Sequence, residues 1–94
     1  MNCKIILSKP YEFEGETFTE IDMQGLYDLK AKDLSEIEKI YMATGGNPAL
    51  TSLTLDYAII VVQRVTRQPL EFFENLPAKD ATALKNEVVY FFYE

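Results

Sequence analysis

Pro69 and Pro77 cut the last third of the chain into short apolar pieces, and Gly45-Gly46-Asn47-Pro48 makes an earlier cut. Proline lacks the amide hydrogen and its ring clashes with the preceding turn, so a helix does not run through it. Glycine suits the left-handed cap that ends a helix. The apolar surface between these cuts must therefore fold as separate helices packed on one another. The expected segments are 33–45, 54–68, 70–76 and 78–93.

The first segment opens on a start signal, because Asp33 with Glu36, or Ser35 with Glu38, offers a capping box. Leu34, Ile37, Ile40 and Tyr41 then fall at helical spacing on one face, with Glu36, Glu38 and Lys39 turned to water. In the second, Ala58-Ile59-Ile60-Val61-Val62 reads as a buried strand on propensity alone. Length and caps favour a helix instead: Thr54 serves as the cap, Asp56 sits in the first turn, and Arg64 and Arg67 lie where the helix dipole favours cations. Asp56, Gln63 and Arg67 form a polar stripe on which Ile59 and Ile60 intrude. Such a helix is either central in the fold or covered in part by another chain.

Leu70, Phe72, Phe73 and Leu76 give a short amphipathic turn between the two prolines. The last helix buries Ala81, Leu84, Val88 and Phe91 or Phe92, and shows Lys79, Thr82, Asn86 and Glu87. Four consecutive aromatics, Tyr90 to Tyr93, cannot all face inward from one helix, so one or two of them lie exposed or against a partner.

Residues 2–22 carry β-branched and aromatic side chains around Glu14-Gly15-Glu16, the pattern of a hairpin. With Gly15-Glu16 as the turn, Phe13 faces Phe18. Pro10 has no ladder hydrogen bond to give, so its strand is an edge or is broken there. Residues 23–32 read as a connector in which Leu26 and Leu29 plug into the core and Gly25 loosens the backbone. The expected fold is α+β and mostly helical: one domain over 1–94, an N-terminal β-hairpin followed by a bundle of three to four helices.

The chemistry available is narrow. The chain has no histidine and one cysteine, Cys3. That excludes Ser-His and Cys-His pairs and the usual zinc constellations. Cys3 reads as a small apolar residue of the first strand. The carboxylate pairs Glu12/Glu14 and Glu71/Glu74 read as solvated surface, and Thr44-Gly45-Gly46-Asn47 reads as a helix stop, since no strand leads into it and no lysine follows at phosphate-loop spacing. Catalytic, cofactor-binding and metal-binding residues are accordingly expected to be none. A net charge of −6, from nine basic and fifteen acidic residues, repels phosphate and disfavours nucleic acid and anionic membranes as partners. No segment approaches the ~18 apolar residues of a membrane span, and no charged leader precedes an apolar stretch, so a soluble protein of the cytoplasm is expected.

The order Asp33-Leu34, Gly45-Gly46, Leu55-Asp56-Tyr57-Ala58, Gln68-Pro69-Leu70-Glu71-Phe72-Phe73, Leu76-Pro77-Ala78-Lys79-Asp80 and a closing Val88 to Phe92 resembles the tail assembly chaperones of tailed bacteriophages and prophages. The similarity spans nearly the whole chain. It implies a non-enzymatic protein of the host cytoplasm that binds the long helical tape measure protein and keeps it soluble. It further implies that the major tail protein is helped to polymerise around that client, and that the chaperone leaves before the virion is finished. In many such phages a ribosomal frameshift adds a carboxy-terminal domain, and Phe91-Phe92 is a pair that a run of uridines suited to slippage can encode. Self-association into homo-oligomers is a further implication. A small acidic adaptor or anti-regulator of one protein partner is the rival reading.

A client-binding protein needs apolar surface that its own fold leaves uncovered. Ile59, Ile60, Leu70, Phe72, Phe73, Phe92 and Tyr93 are the pool from which that surface is expected to be drawn.

Overall fold

The computed structural model describes residues 4–46 and 54–93. Cys3, Asn47 and Pro48 lie outside these, so the readings of the first and of the proline stop stay expectations. The architecture is α+β, as the sequence implies, with a hairpin followed by four helices.

Strands β1 (Lys4–Phe13) and β2 (Glu16–Asp22) pair antiparallel. The turn is Glu14-Gly15, both with positive φ, at 49° and 81°. A two-residue turn of that hand matches the twist of the strands it joins. Phe13 therefore pairs with Glu16, and Phe18 pairs with Tyr11. This corrects the expected Phe13–Phe18 pairing, whose turn lay one residue further on.

Pro10 lies inside β1, yet the ladder is not regular across it. Ile6 pairs with Glu20 and Tyr11 with Phe18, so Leu7 to Pro10 stand opposite Thr19 alone. Bulged strands leave backbone groups unpaired, and here Asp80 takes one of them. The Ser8 amide donates to Asp80 Oδ1 at 2.9 Å and the Ser8 hydroxyl to Oδ2 at 3.0 Å. The Asp80 carboxylate is 3% exposed and sits in the first turn of α4 (Ala78–Tyr93), where the helix dipole favours negative charge.

The connector contains a 3-10 turn, Gln24–Asp28, which buries Leu26, while Leu29 is half-buried. Gly25 has a steric reason rather than a flexible one: a Cβ there would stand 3.0 Å from Val65 Cγ1. Helix α1 (Ala31–Ala43) starts earlier than Asp33. Asp33 lies three residues inside, where its carboxylate accepts from the Lys30 amide at 2.9 Å, so it caps from within the first turn. At the other end Gly46 N–H donates to Tyr41 O and Gly45 N–H to Met42 O, each at 3.0 Å. This is a Schellman stop with Gly45 at φ 89°. Gly46 is required for space, since a Cβ would lie 2.3 Å from the Tyr41 ring. The inner face of α1 is Ile37 and Tyr41, with Leu34 half-buried. Ile40, expected on that face, is 47% exposed.

Helix α2 (Leu55–Thr66) is the centre of the fold and packs on α1, α4, the 3-10 turn and α3 (Leu70–Glu74). Thr54 caps it by accepting from the Tyr57 amide at 3.1 Å. It stops short of Gln68 because Arg67 turns left-handed, at φ 62°, and Pro69 follows. Arg64 ties it to α1, donating to Asp33 Oδ1 at 3.0 Å and to Glu36 Oε1 at 2.9 Å. The hairpin is held from the other side by Phe72 of α3. Its ring meets Tyr11, Phe13 and Phe18 edge to face at centroid distances of 5.2, 5.2 and 5.0 Å. The Tyr11 hydroxyl donates to Phe72 O at 2.8 Å.

Candidate functional site

Successive residues of a helix are turned by ~100°, which gives α2 two opposed faces. Tyr57, Ala58, Val61 and Val62 point into the core and are buried. Asp56, Ile59, Ile60 and Gln63 project from the opposite side, where Ile59 and Ile60 are half-buried. The intrusion of two isoleucines into a polar stripe is thus a real second apolar face, on a helix whose first face is already committed.

That outer face is the floor of an open groove of about 460 Å³. Ile40 and Thr44 at the end of α1 and Leu70 and Glu74 of α3, both helices that pack on α2, complete its lining. Ile40 is 47% exposed and Leu70 41%. Four aliphatic side chains from three helices therefore meet around the groove. Asp56 and Glu74 are the charged side chains among the described residues lining it.

The sequence-derived pool divides accordingly. Ile59, Ile60 and Leu70 come together in this groove. Phe72 and Phe73 do not: at 1% and 2% exposure they are core. Phe72 plugs the aromatic socket of the hairpin and Phe73 packs against it at 5.0 Å. The expectation that these two contribute surface is corrected by that burial. Phe92 is half-buried, with its ring 6.2 Å from Tyr57 and 5.3 Å from Phe91. Tyr93 is 65% exposed at the end of α4. Burial raises the Tyr57 hydroxyl pKa above the ordinary tyrosine value, with the Glu38 and Tyr93 charges adding to it. The end of α4 thus lies by Tyr57, on the core side of α2 and away from the groove floor.

Ile40 is the groove residue that sequence reasoning missed. The signal was present: Ile40 lies ~90° around the helix from the middle of the Leu34, Ile37 and Tyr41 arc. Among the described residues, no group of three or more His, Cys, Asp or Glu could hold a metal ion, and no helix is long and apolar enough to cross a membrane.

A small α+β fold whose aliphatic groove is rimmed with carboxylates has the surface of a protein that holds another protein. The chain belongs to the phage tail assembly chaperone proteins: the family described as "Phage tail assembly chaperone proteins, E, or 41 or 14" matches residues 4–93. It acts in assembling a phage tail, inside the host cell and through protein partners of that assembly. Neither curated proteins nor solved structures gave a match.

Proposed function

We propose that this chaperone binds the tape measure protein, keeps it soluble in the host cytoplasm, promotes assembly of the tail tube around it, and is absent from the finished virion. The role is one of binding, without catalysis. The carrying observation is the outer face of α2, where Ile59 and Ile60 line a groove together with Ile40 and Leu70. A client whose long helices expose apolar stripes aggregates through those stripes, and a groove that covers one of them removes the driving force. The net charge of −6 then keeps the complex dispersed.

Co-expression with the tape measure protein of the same phage tests this. The client's soluble fraction should rise several-fold and the two chains should co-purify. A client no more soluble with the chaperone than without it would overturn the proposal.

A further inference from the structure

We infer that the groove over α2 takes a single amphipathic α-helix whose apolar stripe is flanked by lysine or arginine. The inference rests on the reading above, that this face receives a client, and adds the client's chemistry.

The occupant is helical because of what the groove lacks. Its floor is the side of a helix, whose amides and carbonyls are already engaged within α2, so it offers no strand edge. An extended segment laid across Ile59 and Ile60 would leave its own backbone groups unpaired over an apolar surface, at considerable cost. A helix brings its backbone already satisfied and presents side chains at i, i+3 and i+4, the pattern of helix-in-groove recognition. Ile40 of α1 and Leu70 of α3 line the groove together with Ile59 and Ile60 of α2, the helix on which both pack. That places apolar contact along one stripe of the incoming helix and leaves its flanks beside the rim.

The rim sets the charge of those flanks. Asp56 and Glu74 face the groove with no lysine or arginine among the described lining residues. Neither carboxylate has a salt bridge among the described residues, the ion pairs there being those of Lys4 and Arg64. Complementary charge steers and selects partners. A second copy of this chain is the poorer occupant, because it brings another net −6 to an acidic rim.

Two synthetic peptides of about 20 residues, long enough to hold a helix, test this on the whole chain. Both carry leucines at i, i+3, i+4 and i+7; one is flanked by lysine, the other by glutamate. The lysine-flanked peptide should bind about tenfold more tightly, with the margin narrowing as salt rises. Ile40→Ser with Leu70→Ser, two exposed sites, should abolish binding with the circular dichroism unchanged. Asp56→Asn with Glu74→Lys should erase or invert the charge preference, and Glu74→Lys alone should reduce it if the double variant folds poorly. Equal affinity for the two peptides, or full binding by the Ile40/Leu70 variant, would overturn the inference. So would failure of both peptides to bind, whether the chain is then a monomer or a dimer that the Ile40/Leu70 variant loses. Client solubility retained while the peptides fail sinks this inference and leaves the chaperone role. Peptide binding without any effect on the client does the reverse.

Discussion

Ser8 and Asp80, 72 residues apart, are joined by two hydrogen bonds to one carboxylate, from the Ser8 amide at 2.9 Å and its hydroxyl at 3.0 Å. The pair fixes the β1 bulge to the start of α4. Hydrogen bonds to a charged group contribute ~1.5–3 kcal/mol, more than neutral ones. Asp80→Ala should therefore cost about 2–4 kcal/mol in urea unfolding, and Ser8→Ala, which keeps the amide bond, about 1 kcal/mol. Equal small losses for the two variants would contradict this account.

The buried and the groove-lining members of the apolar surface should separate cleanly on mutation. Phe72→Ala empties the socket made by Tyr11, Phe13 and Phe18, and removal of a buried phenylalanine costs ~3–5 kcal/mol. Phe72→Ser with Phe73→Ser should leave the chain unfolded by circular dichroism. Leu70→Ser should leave the melting curve within a few degrees of wild type and weaken client capture. A folded, client-deficient Phe72/Phe73 variant would return those rings to the interface.

The glycines should respond in an order set by space. Gly46→Ala drives a methyl into the Tyr41 ring at 2.3 Å, whereas at Gly25 the nearest atom is one Val65 methyl at 3.0 Å. Overpacking of this kind costs ~1–3 kcal/mol, so Gly46→Ala belongs at the upper end and Gly25→Ala at or below the lower. Gly45→Ala meets nothing within 4 Å and is penalised through its φ of 89° alone, by about 1–2 kcal/mol. Denaturant midpoints for the three variants provide the ranking.

Two groups should shape the pH profile. The Lys30 amide bond, opposed by desolvation and aided by Arg64, holds the Asp33 carboxyl below its ordinary value. Its contribution is present above the unfolded carboxylate pKa and is lost as pH falls through the depressed folded value. Tyr57 is raised, chiefly by burial, so its contribution is complete below the unfolded tyrosine pKa and is lost as pH rises through the folded one. Thermal melts should show a shallower acid limb in Asp33→Asn and a shallower alkaline limb in Tyr57→Phe. An acid limb for Asp33→Asn that superimposes on wild type below about pH 5 would remove Asp33 from the explanation.

What the sequence disclosed was local. Thr54 caps α2 as its spacing predicts, and the helix wins over the strand propensity of residues 58–62 because it alone gives α2 a continuous core face. Gly15 signalled a hairpin but not its register. The choice between Gly15-Glu16 and Glu14-Gly15 is made by Glu14 accepting φ 49°. No residue type announces that, and the aromatic packing on Phe72 stabilises the outcome. Asp33 looked like a cap and is one, but from inside the helix, since a carboxylate three residues in reaches back as readily as one at the boundary.

Distant partners were illegible. Phe72 and Phe73 carry the same local signature as Leu70, yet the hairpin aromatics enclose the Phe72 ring and Phe73 packs against it. Asp80 drew no reading of its own from the sequence, and its bond to Ser8 depends on a bulge that only the folded ladder reveals. In the groove, Ile59, Ile60 and Leu70 were legible as excess apolar residues. Ile40 was legible only as a residue ~90° off the Leu34, Ile37 and Tyr41 arc, and the position of the neighbouring helix decides what that offset means.

The Phe72 socket also has a timetable. Sixty-one residues separate Tyr11 from the residue that fills the space between it and its neighbours, and a two-stranded ribbon is marginal by itself. As the nascent chain leaves the ribosome, the ribbon must wait, rings unshielded, until α3 has emerged. Stalling or truncating translation anywhere before Phe72 would release a sticky intermediate, so the ribbon is guarded against clumping only once α3 has been made.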